Sequence, residues 1–244
     1  MIELIIIFPL FLLLLFAVIE FSLIYRAKFT LNHAAQQVAR AGSLNNACMG
    51  AMDEQLIRSM MPLYLKRDAG YLNAKKVQTL KKEAIKIYTD ADIISPSMEI
   101  FAKFKEKLPL QPSQISACAA QSYRVKAYKP VDILPNDNLQ FRSTFTHQVK
   151  RNGESIKINI QDANLLKVQV RYCHRLAFPI IDLILDSIQR SKLSLSTDSI
   201  FYNNCINGKS TDFNTLQSGR YLVLSAYGIA RMQTPIFKNS LKDQ

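Results

Sequence analysis

Glycine is scarce in this chain, at seven of 244 residues, and there is neither a low-complexity tract nor an internal repeat. That excludes long disordered stretches other than the last few residues. The glycine-dependent catalytic signatures are missing too: no G-x-S-x-G, no G-x-x-x-x-G-K-S/T and no G-x-G-x-x-G occurs. Nucleophile-elbow hydrolases, P-loop nucleotidases and dinucleotide enzymes therefore lose their usual marks. Three histidines, His33, His147 and His174, stand far apart and none has H-E-x-x-H spacing, which assigns them structural or surface roles. Asp162 beside Asn164 lacks an acid or base partner and reads as a turn residue. Acids are few, 19 against 31 Lys+Arg, for a net charge of +12. Such a field attracts anionic head groups, acidic polysaccharide or nucleic acid without choosing among them. The densest basic stretch, LKRDAGYLNAKKVQTLKKEAIK, lacks the aromatic interleaving of RNA-binding surfaces and reads as a solvated helical face, so no nucleic acid is expected.

There are four cysteines, Cys48, Cys118, Cys173 and Cys205, and no two stand in C-x-x-C spacing. An even number without metal spacing fits one or two disulfides in an oxidising compartment. Three full pairings are open, with Cys173–Cys205 favoured because both lie in the strand-rich C-terminal half. Four buried free thiols in a cytosolic domain is the competing reading.

What the chain does have is a long apolar run at its start. From Leu4 to Tyr25 only Glu20 and Ser22 are polar, and Glu3 and Glu20 enclose sixteen residues without a charge. About 22 residues at 1.5 Å each cross a hydrocarbon core of about 30 Å, so the run predicts a membrane span. A cleavable signal would need a basic n-region and a small-residue cleavage site, and neither is found before Arg26. Pro9 lies within two turns of the helix start, where it does least damage beyond a modest kink. A carboxylate at bilayer depth costs about 2.5–3.5 kcal/mol, so Glu3 and Glu20 predict partners. Arg26 and Lys28 follow the span with nothing basic before it, which by the positive-inside rule puts the C-terminal bulk in the cytosol. The cysteines argue the opposite, and a short basic leader ahead of Met1 reconciles the two.

Helical spacing continues past the span through Ala27, Leu31, Ala34, Ala35, Val38 and Ala41, with Gly42 placed as a C-cap. The pattern predicts one helix of about 40 residues whose alanine seam lets another helix, its own domain or a copy of itself, come close. Further on, helices are expected over NACMGAMDEQLIRSMMPLYLKR, ending near Pro62. Another carries Val77, Leu80, Ala84 and Tyr88 opposite Lys75, Lys76, Lys81, Lys82 and Lys86, and a third covers SPSMEIFAKFKEKL, with Ser97 as N-cap and Pro109 just past its end. Strands are expected where Ile156, Ile158 and Ile160, then Val168, Val170 and Tyr172, alternate, and again over YLVLSAYGIARM. Helices followed by strands predict an α+β fold with an antiparallel sheet packed on the long helix. The expected division is residues 1–43, the transmembrane and amphipathic helix, and 44–244, an α+β domain that is helical over 44–110 and strand-rich over 120–235.

Glu3, Pro9 and Glu20 in their apolar run resemble the N-terminus of the TadE-like minor pilins, or pseudopilins, of the tight adherence pilus, a branch of the type IV filaments. AMDEQLIRSMMPLYL, IISPSMEIFAKF, ILPNDNLQFRS, INIQDANLLKVQVRY and YGIARMQTP are similar to stretches of the larger TadE-like proteins. The resemblance implies a pilin-like fold and a non-enzymatic component of pilus assembly without cofactors. It implies an inner-membrane anchor, a periplasmic C-terminal domain, and entry into an extracellular pilus as a further step. Implied partners are other pilins, the membrane proteins of the assembly machine, and the prepilin peptidase. In such pilins a glutamate meets the free amine of a neighbouring subunit, and Glu3 occupies the matching position. An ammonium facing a buried carboxylate makes its burial tolerable, and losing either partner is strongly unfavourable. Family members carry that glutamate at mature residue five, whereas only Met1 and Ile2 precede Glu3, which predicts either an upstream start or an uncleaved membrane component. Glu20, about 100° around the helix from Glu3, needs a different partner, and Arg26 reaches it only by snorkelling.

The alternative is a single-pass membrane protein whose basic periplasmic domain binds an anionic ligand such as polysaccharide, lipid or DNA. A membrane-tethered hydrolase is a third and weaker reading.

Overall fold

The computed structural model describes residues 2–64, 85–86, 88–124, 126–137, 139, 142, 144–151, 154–178, 184–185, 187–188, 201, 205 and 221–241. Helix α1 is continuous over Ile2–Leu44 with Pro9 inside it, and α2 spans Met49–Tyr64. Strand β1 (Thr89–Ser95) leads into α3 (Met98–Phe104) and β2 (Glu106–Pro109). A 3-10 turn at Pro112–Gln114, α4 (Ala117–Tyr123), β3 (Pro130–Leu134), the hairpin β4 (His147–Arg151) and β5 (Glu154–Ile158), and α5 (Ile160–Ala163) follow. Two long strands, β6 (Leu165–Arg175) and β7 (Tyr221–Arg231), then β8 (Ile236–Phe237) and a 3-10 turn at Lys238–Leu241, complete the fold. Among the described residues it is an α+β fold with three antiparallel sheets, ordered β1-β6-β7, β2-β3-β8 and β4-β5.

The core forms between the second half of α1 and the β1-β6-β7 sheet, with α2 alongside. Ala27, Leu31, Ala34, Ala35, Val38 and Ala39 are buried with Leu166, Val168, Val170 and Ala226 in one cluster that also takes Met52, Leu56 and Met60 of α2. The period-2 burial of Val168, Val170 and Tyr172 turns that face of β6 toward the helices. The alanine seam serves close approach: a Cβ built at Gly228, across the ladder from Val168, would stand 2.0 Å from the carbonyl oxygen of Ala35. α1 thus lies backbone to backbone on β7, and its packing partner is its own domain.

Several expected boundaries move. Gly42 is not the C-cap; α1 runs on to Leu44, and Gly42 is instead where Leu166 and Met52 pack, each 2.7 Å from the point a Cβ would occupy. The left-handed residues at this helix end are Asn46 and Ala47, and the Ala47 amide closes a six-residue turn onto the Gly42 carbonyl at 2.9 Å. α2 does end near Pro62, at Tyr64; in the final turn the proline forfeits only the one hydrogen bond its nitrogen would have given. α3 stops at Phe104, where Lys105 turns extended and EKLP pairs with β3 instead of prolonging the helix. Ser97 caps α3 by accepting the Ile100 amide. Ile160 opens α5 behind an Asn159 cap and does not continue β5. Within the stretch expected to be helical to residue 110, β1 is a strand of the main sheet. Of the expected helix through Val77 to Tyr88, residues 77, 80 and 84 and the lysines at 75, 76, 81 and 82 lie outside the described residues.

Candidate assembly helix

The first half of α1 has the composition of a core helix and the exposure of a surface one. Ile7, Phe8, Leu10, Phe11, Leu14 and Val18 all stand more than half exposed, and the apolar stretch has mean hydropathy 2.6 with 6% of it buried. Water cannot be the intended solvent for so large a contiguous apolar face. By length and composition it is able to cross a bilayer. Pro9 is exposed on this segment. Glu3 lies within α1, and its side chain is outside what the structure describes.

Glu20 ends the free segment. Its side chain is fully buried, and its carboxylate accepts the amide hydrogens of Ala177 at 3.1 and 3.2 Å and of Phe178 at 3.1 Å. The Phe178 ring stacks on Phe16 with centroids 4.9 Å apart. Within the chain the partner of Glu20 is thus not Arg26 but the backbone just after β6. Successive amides aimed at one carboxylate neutralise its desolvation by charge-assisted hydrogen bonds. Eight residues on, the Lys28 ammonium donates to the Ser225 carbonyl of β7. From Ala27 onward α1 is packed on the sheet; before that it is held at Glu20 and Phe16 and is otherwise largely exposed among the described residues.

At its far end α1 is held by Asn46, which is fully buried with φ 57°. Its amide nitrogen Nδ2 donates to Gln114 O at 3.0 Å and Pro235 O at 2.8 Å, its Oδ1 accepts the Ser116 amide at 2.7 Å, and its carbonyl accepts Ser240 Oγ at 2.8 Å. One residue therefore ties α1 to three later segments. Apolar periodicity is silent about it, and the only local signal is the tolerance of asparagine for left-handed backbone at a helix end. Disulfides join Cys48 to Cys118 beside this junction and Cys173 of β6 to Cys205.

A model of a known family fits the bare helix: the family described as TadE-like protein matches residues 1–40. Residues 1–40 are thus similar to TadE-like proteins. The match ends four residues before α1 does, so it covers the exposed half and the seam that enters the core. It supports a place for the chain among the components of the tight adherence pilus. No curated protein and no solved structure matches the chain.

Beyond residues 1–40, Asp53, Asp90 and His174 are among the titratable groups displaced from their ordinary values. Burial pushes Asp53 up, helped by Asp90; burial and the neighbouring Asp92 push Asp90 up against the pull of Arg171; burial pushes the His174 imidazole down. Asp90 and Asp92 both accept from Arg171 Nη1 across the β1-β6 ladder, a structural use of their charge. Among the described residues no group of three His, Cys, Asp or Glu side chains could hold a metal ion.

Proposed function

We propose that the chain is a pilin-like subunit of the tight adherence pilus machinery, anchored in the inner membrane by residues 4–25 and assembling through the exposed face of α1. The rest of the chain then folds in the periplasm, where the two cysteine pairs meet an oxidising environment. One observation carries the reading: a single helix is largely bare and apolar through Tyr25, held at Phe16 and Glu20, and is built into a domain core from Ala27 onward. Such a helix delivers a folded domain to whatever its bare end joins, because force or docking on the apolar half passes through a continuous α-helix into the sheet.

In this reading Glu3 meets a cation of a neighbouring subunit and pins the register of packing, with Pro9 in the same exposed contact zone. Glu20 serves assembly indirectly, by fixing the domain to the helix. Residues 4–25 span about 33 Å at 1.5 Å per residue, enough for a hydrocarbon core of about 30 Å, and Glu20 lies about 8 Å before the end of that span, which brings the Glu20–Phe178 junction near the head-group boundary. Other pilins and the membrane proteins of the assembly machine are the expected partners, with the prepilin peptidase acting on any leader.

Glu3→Ala in the full chain, expressed in cells that carry the pilus system, tests this. Expected are loss of filaments and of co-purifying membrane partners, with the protein still present in the membrane fraction at normal level. Filaments and partners at wild-type level would overturn it.

A further inference from the structure

Beyond pilus assembly, the far end of the molecule holds a second feature. An open cleft of about 520 Å³ lies between α4, β3 and the C-terminal 3-10 turn, and Lys107, Arg124, Lys126, Lys129 and Lys238 line it with Tyr123. All five cations are exposed, and none of them is in an ion pair among the described residues. The one acid in the lining, Asp132, is bound to Lys105 at 3.1 Å. The field of the cluster registers on that acid: the hydrogen bond from Lys105, with the charges of Lys105, Lys107 and Lys238, holds its carboxyl below the usual range. Five cations around a concave wall that holds a single acid repel one another, and an anionic occupant would relieve this.

We propose that this cleft binds a strand of acidic polysaccharide. Three observations select that occupant. The cleft flanks the Asn46 junction, which touches Gln114, Ser116 and Ser240, and α1 rises about 36 Å between Glu20 and Leu44. If Glu20 marks the membrane surface, lipid head groups are out of reach; this step rests on the anchoring proposed above. Four of the five cations are lysines, compact charges on flexible stems that follow acid groups spaced along a polymer, where a single phosphate or carboxylate would favour the fork of arginine. Tyr123 in the wall, and Tyr128 nearby in the chain, 72% exposed between Lys126 and Lys129, put aromatic side chains next to the cations, a combination suited to charged sugars. A rigid duplex has no entry to a cleft this small, and bases stacked in series would need a row of aromatic platforms.

The test uses the full chain in neutral detergent micelles, titrated with an oligogalacturonate, a neutral malto-oligosaccharide, polyglutamate and single-stranded DNA. Expected is binding of the oligogalacturonate that weakens steeply with salt, no binding of the neutral sugar, and weaker binding of polyglutamate and DNA at equal charge. Lys126→Glu with Lys129→Glu lowers the affinity for oligogalacturonate by roughly tenfold or more and flattens its salt dependence. Lys103→Glu with Lys157→Glu, the same charge change outside the cleft lining, leaves the affinity within about twofold. Binding of DNA or polyglutamate as tight as that of the uronate, equal losses in the two double variants, or no uronate binding at low salt would each overturn the proposal. Filament formation by the cleft variant reads out the assembly role separately, so either proposal can fail alone.

Discussion

Glu20 and Ala177, 157 positions apart in the chain, are joined by a carboxylate that accepts one amide hydrogen with both its oxygens, at 3.2 and 3.1 Å. Phe178 adds its own amide to the same carboxylate and its ring to Phe16. Together these contacts fix the point at which a bare helix becomes part of a domain. Glu20→Ala should leave two partly buried amides without an acceptor, at a cost of about 2–3 kcal/mol. Glu20→Gln keeps one carbonyl oxygen and should lose less. Hydrogen exchange at the Ala177 and Phe178 amides is the measurement, with protection falling in the order wild type, Gln, Ala; unchanged protection in the Ala variant would show that Glu20 does not hold the junction.

Gly228 has no room for a side chain. A methyl group there would lie 2.0 Å from the Ala35 carbonyl oxygen and 3.1 Å from Ala39 Cβ, and backbone cannot swing aside as a flexible side chain can. Gly228→Ala should push α1 off β7 and destabilise the domain by about 1–3 kcal/mol or more. Gly50→Ala is the contrast: its methyl meets only Cys118 Sγ, at 3.5 Å, on a helical residue where alanine gains up to about 1 kcal/mol. Denaturant midpoints moving in opposite directions for the two variants would establish the close approach.

The sequence disclosed those parts whose residues repeat with a period. The apolar run, the alanine seam of α1, and the alternation over Val168, Val170 and Tyr172 all follow from one face meeting oil or core, and the structure has each where the spacing puts it. β1 was not legible, because two aspartates in seven residues argue against a strand by propensity. Asp90 and Asp92 are tolerated there since Arg171, 81 and 79 positions away, faces both. The acceptor role of Glu20 was hidden for a similar reason. Its partners are main-chain amides of an ordinary Leu-Ala-Phe segment, and backbone donors leave no mark in the identity of the residues that carry them.

His174 should make stability depend on pH. Burial holds its imidazole below the value of about 6.5 of a free histidine, so between the two values the unfolded chain binds a proton that the folded chain refuses. Stability from this residue is therefore full above about pH 6.5 and is lost as pH falls through that value toward the lower folded-state one. His174→Gln should flatten the slope of the unfolding midpoint against pH in that window, compared with wild type. Parallel slopes for the two proteins would assign the pH dependence to other groups.

Asn46 combines two demands that no other residue meets together: a left-handed backbone at φ 57° and a side chain that must donate twice and accept once inside the protein. Asn46→Ala fails both. It leaves the Gln114 and Pro235 carbonyls and the Ser116 amide without their partner, and it adds the left-handed penalty of about 1–2 kcal/mol, for a total of about 3–5 kcal/mol. Asn46→Gly fails only the second, because glycine adopts that backbone freely. The glycine variant should therefore be the more stable of the two by about 1 kcal/mol, although it removes more atoms. If denaturant unfolding ranked alanine equal to or above glycine, backbone strain would play no part at the end of α1 and its hold on the domain would rest on the hydrogen bonds alone.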